Sequence, residues 1–205
     1  MAIRDLLWAC PFCRAEDVIR PDGGGEACKQ CGARFRRTHG AEIEAVPAGG
    51  QPVRRHAADW AAELPPVRLP AEGQGGPDDR EYRRSAAVAR LVVGYEPVRA
   101  GGEYVGRAER FGPPVQGMLI LTGRSLTFAP TEGQPQQWPL DAVAAVQPSS
   151  SALQIRMRGG PVVLFRFPEA SVRLWDETIQ EALRRLYRST GRGEILEFQP
   201  RISVR

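Results

Sequence analysis

The residues best suited to do chemistry are the four cysteines, Cys10, Cys13, Cys28 and Cys31. They form two C-x-x-C pairs, Cys10-Pro11-Phe12-Cys13 and Cys28-Lys29-Gln30-Cys31, with fourteen residues between the pairs. Two residues between cysteines let a tight turn aim both sulfurs at one point while backbone N–H groups solvate the thiolates. A second such turn completes a tetrahedron of sulfur around a divalent ion, and the spacing lies at the short edge of the double-knuckle zinc pattern. Sulfur fills all four positions and leaves none for a reactive water, so the expected zinc is structural.

Other uses of paired cysteines fit less well. A redox dithiol needs one pair at a helix start. A disulfide framework needs an oxidising compartment, and Met1 to Cys10 lacks the pattern of a secretory leader. Iron in an all-sulfur site is chemically open, but the short gap favours zinc. The flanking residues agree with a knuckle: Gly32 supplies the flexible position after the second pair. Val18-Ile19-Arg20 reads as a strand, Pro21 to Gly25 as a loop and Glu26-Ala27 as the return. Arg34-Phe35-Arg36-Arg37 then continues as an outgoing strand. Residues 6–46 resemble a zinc ribbon on these features, with the metal carried by Cys10, Cys13, Cys28 and Cys31. A segment this short buries too little apolar surface to fold unaided, so metal binding supplies its folding energy. Some zinc ribbons contact nucleic acid, and Arg34, Phe35, Arg36 and Arg37 mix basic and aromatic character as such contacts do. The alternative for these four is a solvated strand with one apolar residue packed beneath the knuckles.

Charge alone decides little. The net charge is +4, and of the 28 basic residues only Lys29 is lysine, a bias that points to GC-rich coding rather than to a polyanion partner. The hydrophobic share of 42% and the charged share of 25% are those of a globular chain. No apolar run approaches the ~18 residues that a membrane-spanning helix needs. Between Pro47 and Arg80, 11 of 34 residues are Gly or Pro, which predicts a loose tether. Within it, Arg55 to Leu64 reads as a short helix stopped by Pro65-Pro66, with Trp60 and Leu64 spaced to dock on a neighbouring surface.

Beyond Arg80 the pattern is that of short strands followed by one helix. Candidate strands are Ala87–Arg99, Glu103–Arg107, Gly117–Thr122, Ser125–Phe128, Gln137–Leu140 leading into Ala142–Val146, Leu153–Arg158 and Val162–Phe167. Gly123-Arg124 marks a hairpin turn. In the last hairpin, sharing one apolar face requires Leu153, Ile155 and Met157 to oppose Phe167, Phe165 and Val163 around a three-residue loop, Gly159 to Pro161. That register would gather Arg156, Arg158 and Arg166 on the outer face, where guanidinium groups can grip a phosphate; ordinary solvated strand residues are the alternative. Val172, Trp175, Ile179, Ala182, Leu183 and Leu186 then follow a helical period, predicting a helix from about Glu169 to Arg188. Arg184, Arg185 and Arg188 in its last turn suit the helix dipole without any ligand.

This order resembles a pleckstrin-homology-like barrel, closest in wording to the GRAM subgroup. The run from Gly117 to Phe128 resembles that group's G-x-L-x-L-T-x-x-x-L-x-F hairpin, and Trp138-Pro139-Leu140-Asp141-Ala142-Val143 is similar to its following strand. The resemblance covers residues 84–188. It implies a seven-stranded barrel plugged at one end by the helix, binding acidic phospholipid heads in some members and proteins in many. Lipid-binding members carry a basic cluster after the first strand, whereas Tyr95 to Tyr104 here offers only Arg99.

The expected fold is therefore mainly β with one C-terminal α-helix. It divides into a zinc ribbon over 1–46, a Gly/Pro-rich linker with a short helix over 47–80, a PH/GRAM-like domain over 81–190, and a tail or edge strand over 191–205. No catalytic constellation is visible: there is no nucleophile elbow, P-loop or dinucleotide fingerprint, and His39 and His56 stand apart from any triad. The expected function is a non-catalytic zinc-binding adaptor, cytoplasmic or peripheral to a membrane. Its barrel binds an anionic lipid surface through Arg156, Arg158 and Arg166, or binds a protein partner. The alternative is a nucleic-acid-associated zinc-ribbon factor whose barrel serves as a protein-interaction platform.

Overall fold

A computed structural model describes residues 2–71, 79–149 and 151–191. The chain is mainly β, with one long helix at its C-terminal end. It builds two sheets in sequence order.

The first sheet is a meander of five antiparallel strands: β1 (Ile19–Asp22), β2 (Gly25–Cys28), β3 (Arg34–Arg37), β4 (Glu42–Val46) and β5 (Val53–His56). The turn between β1 and β2 needs left-handed backbone at Gly23 and Gly24, which glycine adopts at little cost. A short helix, α1 (Ala57–Ala62), follows β5 directly, with the His56 side chain accepting from the Ala58 N–H. Beneath the sheet lie Ile3, Leu7, Ile19, Phe35, Ile43 and Trp60, together with Cys10 and Cys28.

Here the structure departs from the expected boundary at residue 46. β4 and β5 pair from Glu42↔His56 to Ala45↔Val53. Trp60 is 3% exposed, donates its Nε1–H to the Ile43 carbonyl at 3.2 Å and meets the Phe12 ring edge-on. The first half of the expected tether is thus the last strand and the closing helix of the first unit. Glycine and proline content misled because Pro47, Gly49, Gly50 and Pro52 serve one β-turn connection rather than a linker.

The second sheet is built on β6 (Glu81–Ala100), a 20-residue strand. Its first half pairs on one side with β8 (Val115–Thr122) and on the other with β13 (Val162–Arg166). Beyond β8 come β9 (Ser125–Pro130) and β10 (Gln136–Pro139), and beyond β13 come β12 (Leu153–Met157) and β11 (Val143–Pro148). The second half of β6 pairs only with β7 (Glu103–Phe111). β7 and β8 are one return strand interrupted at Gly112 to Pro114, because both oppose β6 in nearly the same register. Counted that way, seven strands precede the helix α2 (Val172–Ser189), in the expected order. α2 begins with the Ser171 side chain capping the Leu174 N–H and packs against β11 and β12, on the side the sheet leaves open. Phe165, Leu121, Leu153, Ile155 and Trp175 form the centre of this core. The Trp175 ring stacks on Phe167 at 5.3 Å, and its Nε1–H donates to Ser85 Oγ.

The two units are in contact, which corrects the expectation of modules hung loosely on a tether. Trp8 and Ala9 from the first unit bury against Leu174 of α2, with Leu64 and Val67 alongside. Arg4 donates to the carbonyls of Pro168 and Glu169, and Arg83 bridges Glu16 at 2.9 Å and Thr178 at 3.0 Å. α2 therefore buries two faces, one on its own sheet and one on the first unit. Leu69 also packs on the second core. The tail expected over 191–205 lies, beyond Gly191, outside the described residues. No helix among the described residues is long and apolar enough to cross a membrane.

Candidate metal centre

The two C-x-x-C segments fold into matching turns. In the first, the Arg14 N–H donates to the Cys10 carbonyl at 2.8 Å and the Cys10 N–H to Ala15 at 2.9 Å. In the second, the Gly32 N–H donates to Cys28 at 3.0 Å and the Cys28 N–H to Ala33 at 2.8 Å. The residue after each pair is left-handed, Gly32 at φ 73° and Arg14 at φ 63°. Glycine enters that region freely, whereas an arginine is strained there by about 1–2 kcal/mol. The Arg14 guanidinium reaches the Glu63 carbonyl at the end of α1, which helps hold it.

These turns bring all four sulfurs within 4.8 Å of one another, with Cys10–Cys31 and Cys13–Cys28 Sγ separations of 3.6 Å. A tetrahedral ion with metal–sulfur bonds of ~2.3 Å has sulfur–sulfur edges of ~3.8 Å. The sulfur set fits that geometry, and its donors are those that suit a thiophilic divalent ion. Cys10 and Cys28 are buried, whereas Cys13 and Cys31 are partly exposed. Burial pushes the Cys10 thiol well up and also raises Cys31. Burial acts the same way on Cys28, but hydrogen bonds from the Cys31 and Gln30 N–H groups and from the neighbouring Cys31 and Cys13 thiols together outweigh it and lower the thiol. Four thiolates packed this closely repel one another, and a divalent cation removes that cost. The site sits in the first core: Phe12 stacks over Phe35 and edges against Trp60.

The other expected site residues are placed differently. Phe35 is 2% exposed and belongs to the core beneath the knuckles, so its ring is closed to a base. Arg36 and Arg54 clamp Glu44 at 2.7 and 2.6 Å; these two hydrogen bonds hold the Glu44 carboxylate below its ordinary range. Arg34 and Arg36 border an open cleft of about 410 Å³ that also carries Asp22, Glu26 and Glu44. The surface is of mixed sign rather than a basic stripe. Arg34 and Arg37 are exposed on β3.

In the last hairpin the apolar face is as expected, but the register differs by two residues: Leu153 opposes Phe165 and Ile155 opposes Val163. A two-residue shift keeps every side chain on its own face, which is why alternation alone could not choose between the registers. The three-residue loop is Arg158 to Gly160, closed by the Met157 N–H to the Pro161 carbonyl, so Arg158 is a turn residue. Arg156 opposes Val162, four residues before Arg166, a distance of ~13 Å along the strand. The expected grouping of Arg156, Arg158 and Arg166 is therefore not formed; Arg156 and Arg158 lie at one end of the hairpin and Arg166 at the other. The expected strands Ala87–Arg99 and Glu103–Arg107 lie within β6 and β7, which meet at a tight turn at Gly101-Gly102.

No family model matches the chain, and no curated protein matches it. Among solved structures, the chain is similar to the C-terminal domain of an unknown protein from Leishmania infantum, at 13% identity and a TM-score of 0.32, over 48% of this chain and 82% of that one. It is also similar to the N-terminal PH domain of the human ARAP2 protein, at 13% identity and a TM-score of 0.35, over 62% of this chain and 97% of that domain.

Proposed function

We propose that this chain is a non-catalytic adaptor. Cys10, Cys13, Cys28 and Cys31 hold a structural zinc ion in a ribbon-like unit, and the PH/GRAM-like unit is the docking module for a protein partner or an anionic membrane surface. The observation that carries this reading is the convergence of four sulfurs, and of no other ligand type, within 4.8 Å. A closed sulfur shell offers no open coordination position, so the ion organises the fold rather than activating water. The second unit supports a binding role by its plan, one sheet built on β6 followed by the single helix α2.

Of the two kinds of partner, a protein is the better supported. The arginines expected to grip a lipid phosphate are spread along the hairpin, whereas apolar residues stand exposed on the β6–β7 ribbon. The nucleic-acid alternative loses its aromatic to the core and Arg36 to Glu44. Pelleting of the full chain with vesicles of acidic phospholipid, beside affinity capture from lysate, separates the readings. Capture of a fixed protein partner without vesicle pelleting supports the protein reading. Pelleting that falls steeply with added salt and fails on neutral vesicles supports the membrane reading.

A further inference from the structure

The second half of β6 and all of β7 form a two-stranded ribbon beyond the main sheet, since β8 pairs with β6 only to Ala89 and β13 only to Leu91. β7 thus presents an open edge nine residues long without proline, and its charges are of both signs: Glu103, Arg107, Glu109 and Arg110. Its surroundings are apolar for a surface: Val105, Tyr104, Tyr95 and Val93 are each more than half exposed.

The side-chain order along that edge is self-complementary. The pairs Tyr95↔Glu109 and Pro97↔Arg107 put Arg107 and Glu109 on the same face of the ribbon. Arg107 is exposed and makes no ion pair within its own chain among the described residues, and Glu109 is met only by Gln154 Nε2, at 2.7 Å. Lay a second β7 antiparallel against the first about an axis through Ala108, and Arg107 of each copy faces Glu109 of the other. Gly106 then faces Arg110, and Ala108 meets Ala108 with no bulk to clash. A shift of two residues, the smallest that keeps each side chain on its own face, sets Arg107 opposite Arg107 or Glu109 opposite Glu109, so charge favours this register over its neighbours.

We propose that β7 is an isologous dimer edge, and that the partner it takes is a second copy of this chain. Two ribbons joined this way form a four-stranded antiparallel sheet, β6-β7-β7-β6, with two symmetric Arg107–Glu109 pairs at its centre. Both open β7 edges are satisfied at once, and the rims of the joined sheet are the second half of β6, which carries Pro97.

The test is sedimentation equilibrium of the metal-loaded full chain. Wild type is expected to dimerise. Arg107→Glu and Glu109→Arg each place two like-charge pairs at the centre and should weaken the dimer by roughly tenfold or more. An equimolar mixture of these two variants restores opposite charges in the mixed pair and should form a heterodimer, and the double variant R107E/E109R should dimerise with itself. Circular dichroism establishes that each variant is folded, and the mixture rescues the reading even where one variant is less stable. A monomeric wild type, or dimers in which neither single substitution changes affinity, would overturn the proposal.

Discussion

The two units reach a folded state by different means. The second unit encloses twenty buried apolar residues around Phe165 and Trp175, enough to hold its sheet and helix together by burial alone. The first has eleven buried core residues among those described, and two of them are Cys10 and Cys28 of the four-sulfur cluster. One unit places its apolar side chains at the centre, whereas the other places its sulfurs there. On the proposed function, stability in the first follows metal occupancy, and in the second it follows packing.

The largest effect should come from the sulfurs. Chelation, or Cys28→Ser, removes a contribution on the order of 10 kcal/mol from the first unit, more than its small core can replace. Backbone amide NMR should then lose the dispersed signals of residues 2–64 while those of β8, β9 and α2 persist. If both units unfold together, the contrast fails. Phe165→Ala is the reciprocal probe. It should cost the second unit about 3–5 kcal/mol, read as a lower denaturant midpoint, with metal content unchanged. Leu174→Ala acts on the junction. Leu174 is fully buried against Trp8 and Ala9, so the variant should cost about 2–3 kcal/mol and widen the gap between the unfolding midpoints of the two units. A gap unchanged from wild type would indicate that this junction does not couple the units.

Smaller changes sharpen the same contrast. Gly32→Ala meets no steric obstacle, but its left-handed φ of 73° should cost the first unit about 1–2 kcal/mol and weaken metal retention. Asp176, in contrast, belongs to the second unit. Burial raises its carboxyl above the ordinary value of 3.8, with the Gln180 hydrogen bond opposing. The folded state therefore holds the proton more tightly than the unfolded one, and stability from this group is full below pH 3.8 and lost as pH rises through the folded value. Asp176→Asn should raise the melting temperature at pH 7, with the gain fading as pH approaches 3.8. A gain that grows on acidification would contradict the burial argument.

The parts of this molecule legible in the sequence were those fixed by local pattern. Cysteine spacing identified the four sulfurs that converge, because a C-x-x-C turn is built by its own backbone hydrogen bonds. Alternation identified the faces of β12 and β13, and the 3.6-residue period identified α2 with Trp175 and Ile179 inward. What escaped was set by partners distant in the chain. β4 and β5 were hidden because Glu44 is polar and β5 is Val-Arg-Arg-His; the Arg36–Glu44–Arg54 clamp that joins three strands links residues distant in the chain. Leu174 fell outside the inward stripe of α2, and only the docking of Trp8 explains it. The two-residue register difference at Ile155 leaves the alternation pattern unchanged, so no reading of apolar period could resolve it.

Elemental analysis of the purified chain, with Cys28→Ser as control, bears most directly on the sulfur centre. One zinc per chain, lost in the variant together with the folded signals around Phe35 and Trp60, is the predicted result. A metal-free chain whose first sheet stays fully folded would contradict it.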